Sequence, residues 1–96
     1  VYNTSVLIGD DGAQRAVYRK VHLFDATLAG GQSLCESDHV ARGAELATCD
    51  VGPLRLGLSI CYDLRFPELY RGLVDRGATL VAIPSAFTLH TGKDHW

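Results

Sequence analysis

Long apolar runs are missing from this sequence. Its hydrophobic stretches are short and broken by Gly, Pro or charge, which excludes a membrane-spanning helix. Long runs of Lys and Arg are missing too, and the formal net charge is −2, so no nucleic-acid surface is expected. Cysteine is scarce: Cys35, Cys49 and Cys61 make an odd number, with no C-x-x-C pair among them. That argues against a disulfide scaffold and against a zinc site, and no metal site is expected. A reducing, cytoplasmic setting follows as the expectation, with at least one thiol free for chemistry. The first residues do not have the pattern of a secretory signal. Methionine is absent altogether. Val1 stands where an initiator would, Val6-Leu7-Ile8 begins almost at once, and nothing closes the chain after Trp96. The expectation is a single truncated domain over 1–96, the middle of something larger; a processed small protein is the alternative.

What is present fits a globular domain. Apolar residues make up 47% and charged residues 21% of the 96 positions, which argues against disorder. Tyr2 to Ile8 reads as a strand, Gly9-Asp10-Asp11-Gly12 as a hairpin turn, and Ala13 to Leu23 as the returning strand. Alternation along the second strand puts Lys20 on one face with Tyr18 and His22. Asp25 to Gly43 is irregular, and a loop of that length inside a domain is usually functional. Glu45 to Asp50 reads as another short strand, and Gly52-Pro53 as a turn. Leu54 to Ile60 is the clearest strand: Leu54, Leu56, Leu58 and Ile60 on one side, and Arg55, Gly57, Ser59 and Cys61 on the other. The small residues of the second face allow close packing or binding. A helix follows, opened by Pro67 and Glu68, striped by Leu69, Leu73 and Val74, and stopped at Gly77. Thr79 to Pro84 then reads as a buried strand. Strand, helix and strand make one βαβ unit with a parallel pair, so the fold class is α/β.

Cys61 is the sharpest chemical signal, because ligands of open α/β sheets sit beyond the carboxyl ends of the strands. A thiol at such a turn is either a nucleophile or a small core residue, and spacing leaves both readings open. Lys20 could stabilise a developing negative oxygen, but alone it reads better as a solvated strand lysine. His22 invites a Cys/His dyad, although a packing histidine is the better reading. Asp63, Arg65 and Glu68 read as a structural ion-pair cluster, and Cys35 as a packing or bystander thiol. Glu36, alone, reads as a solvated loop carboxylate.

Two longer segments carry a resemblance. Tyr18-Arg19-Lys20-Val21-His22-Leu23-Phe24-Asp25 resembles the lysine motif of the nitrilase superfamily of carbon–nitrogen hydrolases. Cys61-Tyr62-Asp63-Leu64-Arg65-Phe66-Pro67-Glu68-Leu69-Tyr70 resembles its cysteine motif. Glu36-Ser37-Asp38 between them, Pro84-Ser85-Ala86-Phe87 and Thr91-Gly92-Lys93-Asp94-His95-Trp96 fit as well, so nearly the whole chain is covered. The Nit branch, with omega-amidase and deaminated-glutathione amidase, is the most similar.

The resemblance implies part of a four-layer αββα sandwich, incomplete at both ends, in a protein that forms homo-oligomers. It implies Cys61 as nucleophile, Lys20 as oxyanion stabiliser, the Tyr62 backbone N–H as second oxyanion donor, and Glu36 as a supporting second glutamate. No metal or organic cofactor is implied. Its substrate would be a small ω-amide bearing a carboxylate, for which Arg65 and Lys93 are candidate partners, or else an N-carbamoyl amino acid. In one respect the chain departs from the pattern. The family's general-base glutamate precedes the lysine motif, and no residue before Lys20 is Glu. Asp10 and Asp11 do not match it, and Glu45 and Glu68 are not substitutes. The expectation is that the base lies beyond Val1 and that the 96 residues alone are inactive. A non-catalytic interaction module is the rival expectation.

Overall fold

Turn chemistry makes the first pair of strands. In the computed structural model, which describes residues 1–27, 30, 31 and 33–96, β1 (Thr4–Ile8) pairs antiparallel with β2 (Gln14–Arg19). Gly12 supplies a φ of 81° in the turn, and the Asp11 carboxylate accepts the Ala13 N–H. The register sets Thr4 opposite Arg19, and the Lys20 N–H still reaches the Asn3 carbonyl.

β2 ends earlier than the expected Leu23, for a physical reason. The N–H groups of Val21 and His22 go to side chains, the Tyr18 hydroxyl and the Asp63 carboxylate, and not to a neighbouring strand. Residues 25–43 are also more regular than expected. β3 (Asp25–Thr27) and β4 (Ser33–Cys35) form a short antiparallel hairpin, followed by a 3-10 turn over Glu36–Asp38. Three-residue strands are too short for alternation to reveal them. The Asp25 carboxylate binds the Ser37 N–H and hydroxyl and ties the hairpin to that turn. Leu28, Ala29 and Gln32 of the expected loop lie outside the described residues.

The βαβ unit is present. β5 (Thr48–Val51), β6 (Leu54–Leu58) and β7 (Leu80–Ala82) form a sheet in that order, β5 antiparallel and β7 parallel to β6. Helix α1 (Pro67–Asp75) makes the crossover, and Gly77 ends it with a φ of 88°. Gly57 lies against α1: a Cβ there would lie 3.0 Å from Leu73 Cδ1. The small face of β6 therefore receives the helix. Leu69 and Leu73 are buried as the stripe requires, but Val74 is exposed and drops out of it. β7 is shorter than the expected strand, and Leu80 is half-exposed, so it is not the buried strand its apolar run suggested. A second helix, α2 (Leu89–His95), is capped by the Thr88 hydroxyl, which accepts the Thr91 N–H. Tyr18, Leu58, Ile60, Leu69 and Leu73 form the buried cluster that joins β2, β6 and α1.

Candidate active site

β6 leads straight into the site. Beyond Leu58 the parallel pairing continues, with the Ser59 N–H on the Ala82 carbonyl and the Cys61 N–H on the Pro84 carbonyl at 2.9 Å. At Cys61 the backbone turns into a 3-10 helix over Cys61–Arg65. Cys61 takes a φ of 46°, the only positive value outside glycine among the described residues. Such a conformation costs an L-residue about 1–2 kcal/mol, so the surrounding contacts must hold it. It breaks the strand alternation and leaves the thiol half-buried, with Sγ 3.9 Å from the Ala86 carbonyl.

Two cavities meet at Cys61. One, about 490 Å³, is lined by Asn3, Lys20, Phe24, Glu36 and Ser85 as well as Cys61. The other, about 190 Å³, is lined by Phe24, Tyr62, Arg65, Phe87 and His95 beside Cys61. A further hollow at Tyr2, Arg19 and Arg42 lies apart from the thiol and has no nucleophile. Lys20 is 3% exposed, which overturns its reading as a solvated strand lysine. Its Nζ lies 2.6 Å from Glu36 Oε1. Glu36 Oε1 also accepts the Phe24 N–H at 2.8 Å, and Oε2 accepts Asn3 Nδ2 at 3.0 Å. Burial would raise the Glu36 pKa, but the bonds from Lys20, Phe24 and Asn3 outweigh it and hold the carboxyl below the usual range. Glu36 is thus an anchored anion and not a solvated one.

Other candidates separate. The His22 ring stacks on Phe66 at 3.7 Å and bonds Asp63, and it lines neither cavity, so there is no Cys/His dyad. Asp63, Arg65 and Glu68 form no ion pair with one another, contrary to expectation. Asp63 is buried on other partners, while Arg65 donates to the His95 carbonyl. Lys93 is exposed on α2 and lines neither cavity. Tyr62 packs edge-on between Phe24 and Phe66, and its N–H takes no acceptor among the described residues. Asn3 went unnoticed in the sequence. Only the β1–β2 register brings it beside Lys20, and no local pattern signals it.

The carbon–nitrogen hydrolase family model matches residues 1–96. A deaminated glutathione amidase of Synechocystis sp. (strain PCC 6803 / GT-S) is 48% identical over 99% of this chain and 36% of its own length. The omega-amidase NIT2 of Homo sapiens is 44% identical over 100% of this chain and 35% of its own. Among solved structures, the C. elegans NitFhit protein superposes with a TM-score of 0.88 at 50% identity, over 99% of this chain and 23% of that one. Saccharomyces cerevisiae Nit3, of branch 10 of the nitrilase superfamily, gives 0.81 at 39% identity, over 99% and 31%. The chain spans about a third of the length of these two curated relatives and covers only part of the nitrilase fold.

Proposed function

Since the chain belongs to the carbon–nitrogen hydrolase family, we propose that it carries the nucleophile and the oxyanion cation of an amidase that works through a cysteine thioester. What supports this most is the wall of one cavity, where the Lys20 ammonium, tied to Glu36, and the left-handed Cys61 turn come together. A base takes the Cys61 proton, and the thiolate attacks the amide carbonyl carbon. The C–S bond forms as the carbonyl electron pair moves onto oxygen. Lys20 Nζ and the Tyr62 N–H stabilise that oxygen. The intermediate collapses, the C–N bond breaks, and the protonated base returns its proton to the leaving nitrogen as ammonia departs. Water, deprotonated by the same base, then attacks the thioester carbonyl; the C–S bond breaks, the base returns that proton to the Cys61 sulfur, and the carboxylic acid leaves and ionises in solvent.

Glu36 is not that base. Three donors hold its oxygens and keep its carboxyl acidic, so it suits orienting Lys20. No glutamate precedes Lys20. We place the base in the part of the relatives' length that these residues do not span. The second cavity and the relatives' names support a small ω-amide substrate, and we assign Arg65 to meet its distal carboxylate. Lys93 does not line that cavity, so the role goes to Arg65.

In the whole protein, Cys61→Ala is expected to lower ammonia release at least about a thousandfold. Full turnover in that variant would sink the assignment. Ammonia release from an ω-amide should exceed that from an N-carbamoyl amino acid; the reverse order would move the substrate class and leave the nucleophile in place.

A further inference from the structure

Asp63 takes no part in the chemistry above, yet it is wholly buried. A buried carboxylate is costly unless its lone pairs are satisfied. Here they are. Oδ1 accepts the His22 N–H at 3.0 Å and lies 2.8 Å from His22 Nδ1. Oδ2 accepts the Tyr18 hydroxyl at 2.6 Å and the Ile60 N–H at 2.8 Å. The Tyr18 oxygen itself accepts the Val21 N–H, so its proton is directed at Asp63.

These partners are not scattered. Tyr18 and His22 stand two residues before and two residues after Lys20, and Ile60 immediately precedes Cys61. One side chain therefore grips both flanks of the lysine and the residue that launches the cysteine turn. We propose that Asp63 is a positioning residue that locks the Lys20 segment to the Cys61 turn and so sets the lysine against the thiol. This rests on the reading of Cys61 as nucleophile and Lys20 as its cation.

The role demands a carboxylate. Each oxygen accepts one backbone N–H, from His22 on one side and Ile60 on the other. An asparagine amide NH₂ in place of either oxygen sets a donor against a donor. Whichever way it is flipped, Asp63→Asn releases one of the two segments.

Cys61 faces charged or titratable groups from several elements: Lys20 after β2, Glu36 after β4, Arg65 and Tyr62 in its own turn, and His95 on α2. The test is site-resolved alkylation of the full chain by iodoacetamide across pH, read at each cysteine by peptide mass spectrometry. Loss of a negative charge alone would lower the pH midpoint of Cys61 and speed its reaction. Loss of alignment with Lys20 does the opposite. Asp63→Asn is expected to raise the midpoint by about one unit and to slow alkylation at neutral pH about tenfold. Leu73→Ala, which opens the core where α1 packs on Gly57 and lines neither cavity, should lower stability without moving the midpoint. An Asp63→Asn midpoint that is unchanged or lower overturns the proposal.

If in the unaltered chain Cys61 reacts no faster than Cys35 and Cys49, the nucleophile reading itself fails, and the proposal with it. If Cys61 is equally fast in both proteins, only the positioning role fails. Should Asp63→Asn not fold, Tyr18→Phe decides, because it deletes the Tyr18 bond to Asp63, together with the Val21 N–H bond to the same oxygen, and keeps both backbone bonds to Asp63. A smaller upward shift supports the lock, and a wild-type profile overturns it.

Discussion

Lys20 and Glu36 form a pair in which neither partner is easily spared. Lys20 is almost fully buried and Glu36 is 20% exposed, so removing the carboxylate strands a buried ammonium. Breaking such a pair from one side costs about 3–5 kcal/mol, and Glu36→Ala should lose an amount of that order in urea unfolding. The pair also sets a pH dependence. Glu36 has a folded-state pKa below its unfolded one, so it stabilises the fold fully above about pH 4.3. That contribution is lost as pH falls through the lowered folded value. Asp25, held low by the Ser37 N–H, and Asp50, held low by Arg55, bend the acid limb in the same sense. Asp50 is exposed and held by a charge, so salt should screen it more than it screens Glu36. At high salt, Glu36→Gln should flatten the acid limb relative to the wild type. An identical limb in the two proteins would count against the pair as a stabilising element.

At the scale of elements, α1 shows how a stripe read from spacing is refined by packing. Leu69, Leu73 and Val74 have the right intervals, but the helix rests on β6 through Leu73, which sits against Gly57 and is 0% exposed. Val74 is 62% exposed and faces away. Leu73→Ala should cost about 2–5 kcal/mol, and Val74→Ala about 0.5 kcal/mol or less. Equal losses in chemical denaturation would mean that α1 is rotated from this arrangement. The strand ends carry a related lesson. β2 was legible as a strand because it returns from the Gly9-Asp10-Asp11-Gly12 turn and its residues alternate between two faces, yet its end was not. Val21 and His22 leave the ladder only because Tyr18 and Asp63 take their N–H groups. Gly43 closes on the same spot: its N–H meets the Lys20 carbonyl, and a Cβ there would fall 2.1 Å from the Arg19 carbonyl oxygen.

Across the whole molecule, the buried apolar residues are few and the shape is long. The radius of gyration is 14.7 Å and the extents are 47 × 27 × 23 Å. A compact chain of this length would have a radius of about 12.5 Å. Val6 on β1, Val17 on β2 and Leu80 on β7 remain substantially exposed. A domain needs about 0.05–0.15 kcal/mol of net stability per residue, and small partial cores struggle to supply it. The 96 residues alone should unfold at low urea with a shallow transition, and ammonia release should stay at background. A sharp transition at high urea, or turnover, would contradict this.

The amino-acid sequence alone determined the α/β class, the turn at the carboxyl end of β6 where Cys61 sits, the helix after it and the two motifs of the family. Each is written in residues a few positions apart, within reach of strand alternation, helical spacing and turn chemistry. Only the tertiary structure decided what those residues touch. Asn3 reaches Glu36 across 33 positions, and Tyr18 reaches Asp63 across 45. Burial turned a strand lysine into an anchored cation, and it made Asp63 a shared acceptor for two segments that no local period connects. Hydrogen bonds between distant segments form only after the chain has folded. Their geometry depends on the register of β1 with β2 and of β6 with β7, which no short window of sequence contains.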